Sequence, residues 1–175
     1  MTKIVLSMRE PGMNPNSDEL ASVIIDRLGL SPRKEGSTDK MHKTLLELYE
    51  RQKRANREKK PELAVLTVEE MAILAGITRQ TMYDYLKRWL DLNLISKTSF
   101  IQGSKVVIGY KLNGQTLEAA FEKAVSRIHG HLDDSKKFVQ ELQRIIKNEK
   151  IKAAQGKNTY SEELDEKTPE NEVIQ

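Results

Sequence analysis

The chain of 175 residues contains no cysteine, which excludes a disulfide framework and any thiolate metal site. Histidine is almost as scarce: His42, His129 and His131 are the three present. The His129/His131 pair is read as helix-end or surface histidines, so no metal site is expected. No apolar run approaches the roughly 20 residues a helix needs to cross a bilayer. The opening Ile4-Val5-Leu6 is too short for the core of a signal peptide and meets Arg9 and Glu10 at once. These absences predict a cytoplasmic protein with no membrane partner. Also missing are a phosphate-cradling glycine loop, a nucleophile elbow and paired carboxylates in a glycine-rich setting. The expectation is therefore a non-enzyme, with no catalytic residue and no cofactor, and no signature of a small-molecule effector.

Net charge is only +3, but its placement is uneven, and placement matters more than the total for a nucleic-acid partner. Residues 31–60 carry ten Lys or Arg against five Asp or Glu, and residues 78–111 carry six against two. Residues 156–175 reverse the sign, with two Lys against six acids and few large apolar side chains. That composition predicts a disordered acidic tail over 155–175.

Local signals order the rest. Residues 4–8 could form a short strand before Pro11, Gly12 and Pro15 break the pattern. A helix is expected over 18–28, capped by Ser17 and stopped by Gly29, with Leu20, Val23, Ile24 and Leu28 inward. After a linker at 31–37, Thr38 or Asp39 can cap a helix that buries Met41, Leu45, Leu48 and Tyr49. That helix runs into Arg51–Lys60, where six basic residues face one acid. Such a run is either a solvated helix end, favoured at the negative pole of the dipole, or a phosphate contact through Arg54 and Arg57. Residues 63–66 are read as a small strand.

Thr67 and Glu70 then spell a capping box, with Val68, Met71, Ala72 and Ala75 at helical spacing and Gly76 where a left-handed residue is needed. Thr78 can cap a second helix over 78–90, with Met82, Tyr85, Leu86 and Trp89 on its apolar face. Asn93 suits a left-handed cap. Residues 95–101 and 105–112 read as two strands joined at 102–104, with Val106, Ile108, Tyr110 and Leu112 on the inward side. Thr116 caps a helix over 117–128, Gly130 interrupts it, and a second amphipathic helix follows over 134–153.

The segment Leu66-Thr67-Val68-Glu69-Glu70-Met71-Ala72 through Leu94-Ile95, with Gly76 in the turn and Ile77-Thr78 opening the second helix, resembles the winged helix-turn-helix of prokaryotic and archaeal transcription regulators of the MarR, ArsR and TrmB types. The fold implied is mainly α with a small β-wing plus a C-terminal helical extension. Its parts would be an N-terminal segment with one helix at 1–37, the DNA-binding domain at 38–114, a helical dimerisation region at 115–154 and the acidic tail. The function implied is sequence-specific binding of double-stranded DNA by a nucleoid-associated homodimer that regulates transcription. The same fold also serves as a protein-interaction module of transcription or replication machinery, or in plasmid or viral replication and partition.

By that resemblance the second motif helix presents its first turns to base edges. Arg79 and Gln80 are the best base readers, since Arg can engage guanine and Gln adenine with two hydrogen bonds each. Thr81 joins them, and Tyr83 could serve a base or a phosphate. Thr78, Lys87, Arg88, Lys97 and Lys105 are assigned to phosphates, with Asp84 orienting a basic neighbour. Considered alone, such a polar helix face is also what any surface helix shows. The apolar stripe Phe138, Val139, Leu142, Ile145 and Ile146 is expected to form the dimer interface; the competing expectation is that a helical hairpin folds back on its own domain.

Overall fold

A computed structural model describes residues 3–31 and 40–165. Among them the chain is mainly helical, with one two-stranded antiparallel sheet. It divides into two compact units, Met1–Ile128 and His129–Gln175.

In the first unit, residues 3–10 have no regular structure, so the strand expected at 4–8 is absent. The segment is held by side chains: Arg9 pairs with Asp26, and Arg27 Nη1 lies 2.9 Å from Glu10 Oε1. Helix α1 spans Ser17–Arg27. Its cap is Asn16 rather than Ser17, because the Asn16 Oδ1 accepts from the Glu19 N–H at 2.9 Å and Ser17 already has helical geometry. Helix α2, Met41–Glu58, packs on α1 and buries Met41, Leu45 and Leu48. The expected caps Thr38 and Asp39 and most of the expected linker lie outside the described residues.

A 3-10 turn, Pro61–Ala64, takes the place of the first half of the strand expected at 63–66, since Pro61 supplies a fixed φ and no N–H. Only Leu66 pairs, through reciprocal 2.8 Å bonds with Tyr110. That close approach explains Gly109: a Cβ there would stand 2.3 Å from Val65 Cγ1 and 2.8 Å from the Leu66 carbonyl oxygen.

Helices α3, Val68–Ala75, and α4, Arg79–Asp91, follow, joined by Gly76-Ile77-Thr78. Strands β1, Ile95–Gln102, and β2, Lys105–Leu112, pair in register from Ile95↔Leu112 to Gln102↔Lys105. Asn93 takes φ +59 before β1, as expected. One core joins α1 to α4, the base of the hairpin and Ala120 and Ala124, with Trp89, Leu48 and Leu66 fully buried.

The expected inward row of the hairpin is half wrong. Tyr110 and Leu112 are buried, but Val106 is 70% and Ile108 53% exposed. The ribbon outruns the core it springs from, and its outer half meets solvent on both faces.

Helix α5 spans Leu117–Asp165 without a break. Two separate C-terminal helices were expected, and Gly130 does not part them. Glycine costs a helix interior only about 1 kcal/mol relative to Ala, and the runs 117–127 and 136–155 on either side are rich in Ala, Leu, Glu, Lys, Arg and Gln. Residues 156–165, expected to be disordered, continue the helix; the remainder of the acidic tail lies outside the described residues. Among the described residues no helix is long and apolar enough to cross a membrane.

Candidate nucleic-acid interface

Three local devices set the angle and the start of α4. The Thr67 Oγ1 accepts from the Glu70 N–H at 3.3 Å while Glu70 Oε2 accepts from the Thr67 N–H at 2.8 Å, so α3 begins with both halves of its box made. Gly76 takes φ +70, where any side chain would be strained, and the Ile77 N–H returns to the Ala72 carbonyl at 3.0 Å. Thr78 then accepts from the Thr81 N–H at 3.2 Å. The same Glu70 receives Arg51 Nη2 at 3.0 Å, and Arg51 also binds Glu47 and the Val65 carbonyl, which locks α2 against the start of α3. Burial would push the Glu70 carboxyl up, but the Thr67 backbone donor and the Arg51 guanidinium outweigh it and hold it below its ordinary value.

Burial of Met82, Tyr85, Leu86 and Trp89 turns the opposite face of α4 outward. Thr78, Arg79, Gln80, Tyr83, Asp84 and Lys87 are exposed there, with Thr81 half-buried beside its cap. Arg79 is held by two neighbours that sequence reading did not assign to it. Its Nη2 donates to the Tyr83 hydroxyl at 3.3 Å with the guanidinium 5.7 Å from that ring, and its Nε lies 3.1 Å from Glu69 Oε1 of α3. The Tyr83 hydroxyl first, and the Glu69 charge second, raise the Arg79 pKa above its ordinary value. The pair therefore fans the guanidinium across the first turn of α4 instead of letting it trail in solvent.

Arg88 does not belong to this face. It is 5% exposed, donates from Nη1 to the Gly29 carbonyl at 2.8 Å and lies 5.1 Å from the Tyr85 ring. The phosphate assignment fails on position: the side chain turns inward and ties α4 to the end of α1.

Among the described residues, positive charge without a matching acid sits on two other elements. Lys97 and Lys105 are exposed on the hairpin, Lys105 at its tip opposite Gln102. Arg54 and Arg57 are exposed on α2 and pair with no acid among the described residues. On α4 itself Asp84 and Asp91 balance Arg79 and Lys87. Beside the lysines, Ile101, Val106 and Ile108 form an exposed apolar row on one face of the ribbon, unannounced by a sequence pattern that reads the same for a buried and an overhanging strand.

A half-open apolar cavity of about 580 Å³, lined by Ile24, Leu28, Leu45, Tyr49, Leu117 and Phe121, lies in the first unit. Phe138, Val139, Leu142, Ile145 and Ile146 are all exposed on α5 in the second unit. No cluster of three or more metal-ligating side chains occurs among the described residues.

A scan against protein-family models, a search of curated proteins and a search of solved structures each found no match to this chain.

Proposed function

We propose that residues 67–112 are a winged helix-turn-helix that binds double-stranded DNA in a sequence-specific manner and regulates transcription. One observation carries the reading: α4 follows α3 through a three-residue turn, buries its apolar face and leaves Arg79, Gln80 and Tyr83 together on its outer first turns. A helix so mounted enters the major groove with its N-terminal residues against base edges. The hairpin that follows is the wing, and Lys97 and Lys105 give it the charge to rest on a phosphate backbone. Arg54 and Arg57 supply a further phosphate contact from α2. Arg79 and Gln80 read bases, Thr78 and Lys87 fix register, and Thr81 and Tyr83 support the first turn.

A second reading has its own observation. The apolar row Ile101, Val106 and Ile108 on the wing suits a protein partner better than a phosphate backbone, which favours a winged-helix interaction module. Repeated selection from a random duplex pool separates the two. The DNA reading expects one short motif to be enriched; a pool that stays random while the protein retains only weak, uniform affinity would overturn it.

A further inference from the structure

The half-open cavity of the first unit is walled by three helices, and each gives it one apolar pair a single turn apart: Ile24 and Leu28 from α1 and its cap, Leu45 and Tyr49 from α2, Leu117 and Phe121 from α5. Helices α1 and α2 pack closely, but the start of α5 stands off from both, so its pair walls the space without filling it. Protein interiors leave few voids larger than a water molecule, whereas sites for small molecules are concave, mostly apolar and of about 300–1,000 Å³. At about 580 Å³ this cavity has the size and the lining of such a site. Residues 32–39, the next stretch of chain after α1, read Pro-Arg-Lys-Glu-Gly-Ser-Thr-Asp and hold no large apolar side chain to fill it.

We propose that this cavity binds a small molecule with an apolar body and a protonated amine head. Charge selects the head. Among the described residues Glu118 is the one charged side chain that lines the cavity, and it is exposed and pairs with no base. Lys53, 5.3 Å from the centre of the Tyr49 ring, is balanced by Glu50 at 3.1 Å. The first turn of α5 also borders the cavity, and its dipole by itself favours an anion, but roughly half a charge there is outweighed by the full charge of Glu118. Thr116 already accepts from the Ala119 N–H at 3.1 Å, whereas the Tyr49 hydroxyl has no partner among the described residues and is left to accept from an ammonium. The apolar pairs remove the body of the ligand from water. The site goes beyond the DNA reading and does not depend on it.

The full chain tests this without DNA. Octylamine, octanoate and octanol share one apolar body and differ in the charge of the head, and each is titrated into protein labelled on its Ile and Leu methyl groups and followed by NMR. Octylamine should shift the methyls of Ile24, Leu28, Leu45 and Leu117 saturably, with octanol weaker. Octanoate should be weaker still, because attraction to Glu118 in one case and repulsion in the other are each worth roughly 1.5- to 5-fold at an exposed carboxylate. Glu118→Gln should erase the preference for the amine or reverse it, since the helix dipole then acts alone. Leu117→Trp, which fills the cavity, should lower octylamine affinity by about 10-fold or more. Glu118 is exposed, so its variant keeps the fold and decides the question even where Leu117→Trp does not fold. No saturable shift at these methyls, the result if the chain's own residues or a second copy occupy the cavity, would overturn the proposal. So would octanoate binding as tightly as octylamine, an amine preference that survives Glu118→Gln, or unchanged affinity in a folded Leu117→Trp.

Discussion

Arg79 is held in place by groups that also compete for it. Glu69 must release the guanidinium, or share it, when a guanine edge or a phosphate arrives. An ion pair this exposed is weak, so the competition is modest and its removal measurable. Glu69→Gln is expected to raise DNA affinity by roughly 1.5- to 5-fold, read by fluorescence anisotropy; a loss of affinity would mean that Glu69 positions Arg79 rather than restraining it. Arg88 makes the opposite case. Its burial and its bond to Gly29 predict that Arg88→Met destabilises the fold by about 1–3 kcal/mol, since a partly buried carbonyl then loses a charged donor. Urea unfolding should show this, while the salt dependence of DNA binding by the folded fraction should not change. Arg88 was misread in the sequence because a basic residue beside Lys87 looks like surface, and the carbonyl that draws it inward is 59 positions away.

At the scale of elements, α3 and α4 were legible because their boundaries are decided within four residues: Thr67 with Glu70, Gly76, and Thr78 with Thr81. The same caps carry a pH prediction. Glu70 has a lowered pKa in the folded chain, so its contribution is full above the ordinary carboxylate value of 4.5 and is lost as pH falls through the lowered value. The stability difference between the wild type and Glu70→Gln, measured by urea unfolding, should hold from neutral pH to about 5 and shrink steadily in stronger acid. A difference independent of pH would assign Glu70 a role without its charge. The hairpin was legible in its alternation but not in its turn or its reach: Gln102, expected in the turn, pairs with Lys105, and alternation says which residues share a face and not where the core ends. Lys105→Ala tests that overhang as a wing: the salt slope of binding should become shallower by about 0.9 if one phosphate contact disappears, with equal losses on all sequences. Helix α5 was misdivided for an energetic reason. Gly130 signals a stop locally, but one glycine cannot outweigh the helix-forming residues on both sides of it.

For the whole molecule, the positive charge proposed to meet DNA is spread over α2, α4 and the hairpin, while α4 alone is close to neutral on its outer face. Affinity is therefore assigned mainly to Arg54, Arg57, Lys87, Lys97 and Lys105, and sequence preference to Arg79 and Gln80. The salt dependence of binding to a preferred and a random duplex, for the wild type and Arg79→Ala, measures this division of labour. Five phosphate contacts predict a slope of about −4.5 for log K against log salt for each bound copy. Arg79→Ala should leave that slope nearly intact on random DNA while reducing the preference for the selected site by roughly 5- to 150-fold. A slope near zero, or equal losses on both duplexes, would contradict the account.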